Sequence, residues 1–348
     1  MNIRNLQWLT PTIQGIQSLH RQRFDRLYAG EPMEAVLSIA GRLYGSSHPL
    51  AGGNEIDMLK EPDAWLDDVL QDMADHVDEA ADSITFRPLS IELDCLGVHF
   101  IDALFGAQVY FKEGQVWSDP LPYDLSELSM PDLSRSQVLT DALHLAQQTA
   151  KISQGKFLIA LPVFSCAINI GINLFGEKLL LALADRPEVA KNTLMIINQV
   201  ILHCVRAFRD VVPPEIMRNS VACTRYAPVG FGQVDGCATH LVSCSQYQTF
   251  FEEPDNAVLT LWPYGGMMHL CGQHVQHIPA FKRMKSLRSV QLNDSASEDL
   301  KAYYADLRPD QLFYVGPTAT MTVDRILEIS GGHRVVLQCP MERAAQIA

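Results

Sequence analysis

The segment Gly266-Met267-Met268-His269-Leu270-Cys271-Gly272 predicts a buried strand that ends in two metal-binding side chains. Side chains alternate between the two sides of an extended chain, so His269 and Cys271 point the same way. Cys339 ends a second apolar run, at residues 334–338. If the two strands are neighbours, the three side chains converge, and three nitrogen and sulfur ligands with one open position are typical of a catalytic zinc site. The simpler alternative is a core histidine with two buried thiols.

Short apolar runs alternate with helical patterns from about residue 84 onwards, which favours parallel strands linked by helices. The predicted strands span residues 90–96, 157–164, 238–244, 267–271, 289–292, 312–315 and 335–339. The predicted helices span residues 138–152, 186–209, 281–287, 298–307 and 323–330. Because the strand count is near eight, we expect an α/β fold, a (β/α)8 TIM barrel. An open doubly wound sheet is the alternative, although no Gly-x-Gly-x-x-Gly follows a strand.

The first part of the chain has a different pattern. Residues 1–83 are predicted as an N-terminal helical extension, ahead of a barrel at residues 84–348. The predicted helices of this extension are residues 16–28, residues 33–44 and a third helix with an apolar face from Trp65 to Val77.

The composition indicates a large core and an acidic surface. Apolar residues make up 47% of the 348 residues, and the net charge is −13. Nucleic-acid binding is disfavoured, because phosphate contacts need clustered Lys and Arg. Residues 157–176 carry no charge, but Asn169 and Asn173 inside them argue against a membrane span, since a bilayer penalises unpaired polar groups.

The eight cysteines are irregularly spaced and include no Cys-x-x-Cys pair. This pattern disfavours a disulfide framework and an ordinary zinc finger, and a reduced, cytoplasmic protein is the expectation. Most of the thiols are expected in the core, because a free cysteine packs as a small hydrophobe. Cys237 and Cys244 are assigned to the core, since their spacing does not suit joint chelation from one strand face.

Barrel enzymes place their active sites at the C-terminal ends of the strands, and two carboxylates are candidates for such positions. Asp294 follows the run at residues 289–292 and is a candidate to orient a ligand histidine or to bind zinc itself. Asp235 precedes Gly236-Cys237 and is a candidate for substrate binding, with a turn or a helix cap as the alternative. We assign Asp235 and Asp294 as candidate catalytic residues.

Two further side chains are candidates for cofactor binding. Asn169 is polar within an apolar stretch, so it either lines the pocket or holds a loop by hydrogen bonds. Tyr247 either reaches the pocket or packs half-buried with a hydrated hydroxyl. His274 and His277 are expected at the rim, or as hydrogen-bond partners of the ligands, rather than as ligands.

The sequence resembles the uroporphyrinogen decarboxylase superfamily over roughly residues 15–345. The resemblance lies in His269-Leu270-Cys271-Gly272, Cys339, Phe105-Gly106-Ala107-Gln108-Val109, Asp185-Arg186-Pro187-Glu188 and residues 235–250. It implies a (β/α)8 barrel, in agreement with the strand count.

Two branches of that superfamily differ in chemistry. Uroporphyrinogen decarboxylases have no His-x-Cys motif, and their Arg-rich N-terminal signature matches residues 21–28 only loosely. Cobalamin-dependent methyltransferases hold zinc with His-x-Cys and a distant cysteine. Resemblance to that branch implies Zn²⁺ at His269, Cys271 and Cys339, and a corrinoid (cobalamin) protein as partner. It also implies methyl transfer involving a small thiol or a methylated small molecule.

Two alternatives stay open on the sequence. A metal-free decarboxylase of a polycarboxylate needs cationic groups in its pocket, and the candidates are Arg21, Arg23, Arg26, Arg87 and Arg225. A non-catalytic protein that binds a metal or a corrinoid is the other alternative, and every coordination position would then be filled by protein. Neither nucleic acid nor a membrane is an expected partner, and a homodimer is left open.

Overall fold

Twelve strands occur in the part of the chain that the structure describes. The computed structural model describes residues 3–42, 44–45, 57–113, 115–221 and 224–339, so residues 340–348 of the predicted barrel lie outside it. The strands are β1 Leu37–Ile39, β2 Thr85–Phe86, β3 Ser90–Glu92, β4 Val109–Lys112, β5 Gln115–Ser118, β6 Leu158–Leu161, β7 Met217–Asn219, β8 Gly232–Asp235, β9 Gly266–Cys271, β10 Leu287–Asn293, β11 Leu312–Val315 and β12 Val335–Gln338.

Helices separate most of these strands. They are α1 Pro11–Tyr28, α2 Pro62–Asp75, α3 Phe100–Leu104, α4 Gln137–Ser153, α5 Ala167–Phe175, α6 Glu177–Asp185, α7 Pro187–Val211, α8 Cys244–Phe250, α9 Glu252–Leu259, α10 Ile278–Arg283, α11 Leu300–Asp306 and α12 Val323–Ser330. No single described helix is long and apolar enough to cross a bilayer. The α5–α6 pair passes that test of length and composition only when taken together, and it bends by 112° at its break.

Parallel pairing dominates the sheets. Seven strands form one sheet in the order β2-β1-β12-β11-β10-β9-β8, and β3-β6-β7 form a second. Single parallel bridges between Tyr44 and Ile91 and between Ser165 and Asp235 connect the two sheets. This arrangement confirms the predicted α/β class with a large parallel sheet, and it is consistent with a TIM-like fold.

The central strands sort their side chains onto two faces, as strand alternation requires. Met267 and Val336 pack with Phe24 of α1 in one cluster, and we call this face of the sheet the inner face. Met268 and Leu337 pack in the larger cluster that includes residues of the helices, which makes theirs the outer face. A residue's place in this alternation therefore decides whether it reaches the inner face.

Two sequence-based assignments were wrong. Residues 33–44, predicted as a helix, contain β1, which pairs with β12 and β2. This short run is buried at all three positions, and pairing on both sides overrides its helical pattern. The segment before residue 84 therefore contributes a strand to the main sheet. Residues 238–244, predicted as a strand, contain the 3-10 helix Cys237–Leu241 and the start of α8, where Ser243 and Gln246 form a capping box.

Candidate metal centre

The register of three neighbouring strands determines which side chains meet at the candidate site. His269 of β9 lies opposite Gln291 of β10 and opposite Asp235 of β8. Cys271 lies opposite Asn293. His269 and Cys271 share one face, as their spacing predicts, and Cys271 Sγ lies 3.0 Å from His269 Nε2. An imidazole and a thiol thus meet at the C-terminal end of β9.

Cys237 supplies the third donor atom. Its Sγ lies 3.5 Å from Cys271 Sγ. The donor atoms of Cys237, His269 and Cys271 all lie within 4.8 Å of one another, and we call this group the CHC cluster. Cys237 is the first residue of the 3-10 helix that follows β8, and the N–H of Gly236 donates to His269 O over 2.8 Å. That backbone hydrogen bond holds the start of the helix against β9.

Cys339 does not join this group. On β12 the inner-face residues are Val336 and Gln338, so Cys339 follows Leu337 onto the outer face and is buried in the larger core cluster. Burial also raises the pKa of the Cys339 thiol, as expected for a core cysteine. The predicted strand at residues 335–339 is one residue too long, because β12 ends at Gln338, and Gln338 is the residue that reaches the inner face.

The CHC cluster has the chemistry that zinc prefers. Two sulfurs and one imidazole nitrogen are typical zinc ligands, and an open fourth position is typical of catalytic sites. With Zn–S of about 2.3 Å and Zn–N of about 2.05 Å, tetrahedral coordination places two sulfurs about 3.8 Å apart and sulfur and nitrogen about 3.5 Å apart. The separations between these atoms here, 3.5 and 3.0 Å, differ by about half an ångström or less. The residues present therefore fit a zinc ion after a small adjustment.

The two thiols of the cluster differ in acidity. The Cys237 thiol donates to Cys271 Sγ, and this hydrogen bond lowers the pKa of Cys271 against the opposing effect of burial. The Nδ2 of Asn293, 3.5 Å from Cys271 Sγ, lowers the same pKa further. The pKa of Cys237 is raised by that hydrogen bond and by burial. Cys271 is thus the more acidic of the two thiols, and both must lose their protons when a metal binds.

Asp235 lies beside the CHC cluster as one partner of a buried ion pair. Its Oδ1 accepts hydrogen bonds from Arg225 Nη1 at 2.7 Å and Gln233 Nε2 at 2.9 Å. Burial alone raises the pKa of Asp235, but the positive charge of Arg225 and these hydrogen bonds outweigh the effect of burial, so the pKa is lowered. Asp235 is therefore a fixed negative charge next to His269.

A cavity of about 310 Å³ opens beside Cys237. Asn169 is part of its wall, and the Oδ1 of Asn169 accepts hydrogen bonds from the Ala238 N–H at 2.9 Å and the Cys166 thiol at 3.2 Å. Asn169 thus lines the cavity and also holds the helix that begins at Cys237. The cavity walls are Val98, Ser165, Asn169, Ile172, Asn173, Asp235, Cys237, Ala238, His240 and Leu241.

The other two candidate residues, Asp294 and Tyr247, have different surroundings. Asp294 is exposed at the start of the 3-10 helix Asp294–Asp299, with a left-handed φ of 48°. Tyr247 is fully buried in α8, and its hydroxyl donates to Asp255 Oδ2 over 2.9 Å. Neither residue lies in the wall of the cavity beside Cys237.

Two buried histidines support the loops around the cluster. His274 Nδ1 lies 3.0 Å from Gly272 O, and its Nε2 lies 3.3 Å from Cys237 O. His277 Nε2 lies 2.8 Å from Thr239 O. Both rings thus contact backbone carbonyls of the segments that carry Cys237 and Cys271, which matches the supporting role expected for them.

Cys237 is the site residue that the sequence analysis missed. β8 is only four residues long and contains Gln and Asp, so it lacks the apolar run by which β9 to β12 were predicted. The available signal was Asp235-Gly236-Cys237. A glycine after a short strand, followed by a cysteine, allows the close approach to β9 that places this thiol.

The fold and site together define an α/β protein with a TIM-like parallel sheet and a thiol–imidazole cluster at the C-terminal ends of two strands. No family model matches the sequence, and no curated protein matches it. A solved structure does match: the chain is similar to a methyltransferase from Methanosarcina mazei. The TM-score is 0.61 at 14% identity, and the match covers 92% of this chain and 93% of that one. At this identity the likeness shows a shared fold.

Proposed function

We propose that this protein is a zinc-dependent methyltransferase that moves a methyl group between a corrinoid protein and a thiol or similar acceptor. The observation that carries the proposal is the CHC cluster, in which two sulfurs and an imidazole nitrogen lie within 4.8 Å of one another. Shared fold with a protein named a methyltransferase adds support. The corrinoid partner and the thiol acceptor are proposed from the resemblance of His269-Leu270-Cys271-Gly272 to the zinc motif of corrinoid methyltransferases.

The proposed site uses the chain's own residues in defined roles. Cys237, His269 and Cys271 would hold the zinc ion. Bound zinc supplies a Lewis acid that lowers the pKa of a coordinated thiol towards neutrality. Asp235, kept ionised by Arg225, offsets the positive charge of the metal. Asn169 and the small cavity beside Cys237 would position the acceptor next to the ligands.

The same proposal includes a closed barrel. The two single bridges, Tyr44 to Ile91 and Ser165 to Asp235, support it because each connects the main sheet to β3-β6-β7. With closure, β8 and β9 bring their C-terminal ends to one rim, where barrel enzymes carry their active sites. The corrinoid protein would approach this rim. A cytoplasmic location remains part of the proposal.

The decarboxylase alternative has less support from the site. Among its five candidate cations, Arg225 has its charge matched by the Asp235 carboxylate at 2.7 Å. Arg26 is paired with Glu31, and Arg87 is paired with Asp82. These pairings leave less positive charge for the carboxylates of a substrate.

Metal analysis of cysteine variants tests the ligand set. We expect about one zinc per wild-type chain, because three protein ligands define one site. Cys237→Ala and Cys271→Ala should lose the zinc, whereas Cys339→Ala should retain it. Cys339→Ala is the control, since it removes a thiol that lies outside the CHC cluster. Zinc lost from Cys339→Ala and retained by Cys237→Ala would instead support the ligand set proposed from the sequence. A zinc-free wild-type protein that binds no added zinc would reject the proposal.

Methyl transfer is tested separately by spectral titration. Wild-type protein is mixed anaerobically with methylcobalamin and a panel of small thiols, and the cobalamin absorbance is followed. We expect demethylation with at least one thiol, at a rate that falls at least 100-fold in His269→Ala. A zinc-loaded wild-type protein that demethylates no cobalamin would favour the non-catalytic metal-binding alternative.

A further inference from the structure

We propose that Gln291 and Gln338 form an amide relay that fixes which nitrogen of His269 carries the proton. The inference rests on the proposed function, because it concerns a ligand of the proposed zinc site. Gln291 acts on the CHC cluster through His269, and Gln338 acts through Gln291, so both are positioning residues. They lie on the inner faces of β10 and β12 and are buried together with His269.

Three successive contacts form the relay. His269 Nδ1 is hydrogen-bonded to Gln291 Oε1. Gln291 Nε2 donates to Gln338 Oε1 over 3.1 Å. Gln338 Nε2 donates to the backbone oxygen of Thr224 over 3.1 Å and to its hydroxyl over 2.6 Å. The relay therefore joins β9, β10, β12 and the segment at Thr224.

The direction of the relay follows from its last member. The backbone oxygen of Thr224 is only an acceptor, so Gln338 must turn its NH₂ group towards it. The oxygen of Gln338 then faces Gln291, so Gln291 must donate a hydrogen bond to it from its own NH₂ group. Gln291 is left with its oxygen towards His269 Nδ1. Reversing either amide would bring two acceptor oxygens together in a buried site, where an unmade hydrogen bond is unfavourable.

The consequence for His269 is a defined tautomer. Because Gln291 offers only an acceptor, Nδ1 carries the proton and Nε2 keeps its lone pair. Nε2 is the nitrogen that lies 3.0 Å from Cys271 Sγ, within the CHC cluster. A metal ligand needs that lone pair, and the hydrogen bond at the other nitrogen fixes both the tautomer and the ring orientation. The relay thus prepares His269 for the metal before any metal binds.

The relay also explains what β12 contributes to the site. Cys339 lies on the outer face, and Gln338 is the neighbouring residue that reaches the inner face. The strand therefore acts on the centre through hydrogen bonds and not through a ligand. Glutamine suits this role because its amide has one donor end and one acceptor end, so each amide orients the next. It also adds no negative charge beside two thiols and Asp235.

The tautomer can be read directly from the metal-free protein. Full-length chain labelled with ¹⁵N only at its 11 histidines is stripped of metal, and long-range ¹H–¹⁵N spectra report which ring nitrogen is protonated. His269 is assigned by its absence in His269→Ala. We expect a protonated Nδ1 and an unprotonated Nε2. An unprotonated Nδ1 in the folded wild-type chain would overturn the relay.

Zinc titration of variants supplies the second readout. Gln291→Leu removes the acceptor at nearly constant volume, and we expect a 10- to 100-fold weaker zinc affinity, the usual effect of losing such a partner. Gln291→Glu restores an acceptor and should recover most of the affinity. Ser289→Ala, on the inner face of the same strand, is the control and should bind like the wild type. Wild-type affinity in a folded Gln291→Leu would contradict the relay.

The two proposals fail in different ways. If the wild type binds zinc while His269 carries its proton on Nε2, the relay is wrong and the metal site stands. If His269 has the expected tautomer but the chain binds no zinc, the relay stands and the proposed function is wrong. Gln338→Leu tests whether Gln338 fixes the orientation of the Gln291 amide. In this variant Gln291 still contacts Nδ1 but can turn either its oxygen or its NH₂ group towards it, so we expect a mixture of both tautomers.

Discussion

Two buried aspartates show how differently the protein treats charge in two neighbouring regions. Asp235, beside the CHC cluster, is 5% exposed and pairs with Arg225. Asp255, in the helix layer behind it, is 1% exposed and accepts a hydrogen bond from Tyr247. Arg225 and Gln233 lower the pKa of Asp235 in spite of burial. Burial raises the pKa of Asp255 to about 7, because the hydrogen bond from the Tyr247 hydroxyl compensates for the loss of water only in part.

This difference in pKa shows where the protein keeps a buried carboxylate ionised. A buried carboxylate remains ionised only where an opposite charge compensates the loss of water, and otherwise it takes up a proton. At the CHC cluster the chain accepts the cost of a buried ion pair. In the helix layer it places a carboxyl that is neutral over part of the physiological range. Charge is thus concentrated where a cation is proposed to bind.

The largest expected effect is loss of the partner of Asp235. Arg225→Met should lower the free energy of unfolding by about 3–5 kcal/mol, because it leaves a buried carboxylate uncompensated. Urea unfolding at pH 7.5 measures this effect. Adding Asp235→Asn to the same chain should recover part of the loss, since the amide carries no charge.

An exposed ion pair provides the matched control for Arg225. Arg325 and Glu328 of α12 have side chains that are 44% and 67% exposed. Arg325→Met should therefore change the free energy of unfolding by less than about 1 kcal/mol. A loss in Arg225→Met no larger than in Arg325→Met would show that Asp235 is not held as a buried charge.

Three elements, β11, α12 and β1, show how far the sequence alone predicts the fold. β11 and α12 were predicted with the bounds that the structure gives, because an apolar run and a 3.6-residue periodicity are local properties. β1 could not be predicted in this way. Its three residues become a strand only because β12 and β2 pair with them on both sides.

The candidate site was predictable to a similar extent. His269 and Cys271 share a face because the period of a strand is two, and no tertiary information is needed. The position of Cys339 depends on which face of β12 is the inner one, and that is set by its register with β11 and β1. Cys237 depends on a contact between Gly236 and His269 that is distant in sequence. Neither fact is visible in a local pattern.

Zinc binding should produce the next largest effect. A ligand that binds only the folded chain at 100 times its dissociation constant adds about 2.7 kcal/mol to the free energy of unfolding. Wild-type protein with zinc should therefore melt at a higher temperature than protein treated with a chelator. Thermal denaturation followed by circular dichroism makes the measurement.

Cys271→Ala is the control for the zinc effect. Its melting temperature should be the same with zinc and with chelator, because one of the three ligands is missing. An equal zinc-dependent shift in Cys271→Ala and wild type would place the stabilising ion elsewhere in the chain.

Asp255 should make stability depend on pH in a predictable direction. The folded chain keeps its proton up to about pH 7, whereas the unfolded chain releases it near the usual pKa of 3.8. This contribution is therefore fully present below about pH 4 and is lost as pH rises through 7. Relative to Asp255→Asn, the wild type should lose about 1.4 kcal/mol per pH unit between pH 5 and 7.

Urea unfolding of both proteins at pH 5, 6 and 7 tests the contribution of Asp255. Only the difference between the two proteins is used, because other groups titrate equally in both. A difference that stays constant over this range would show that Asp255 is already ionised in the folded chain.

Tyr247→Phe should have the smallest effect and bears on the role of this residue. Loss of the hydroxyl removes one hydrogen bond to Asp255, so we expect a cost of about 1 kcal/mol and a further rise in the pKa of Asp255. Zinc content and demethylation of methylcobalamin should not change, because the side chain lies in the helix layer and not in the wall of the cavity. The measurements are urea unfolding, metal analysis and the cobalamin titration. If cobalamin turnover instead falls tenfold while stability falls by only this amount, Tyr247 acts on the cofactor as the sequence suggested, and the helix layer belongs functionally to the site.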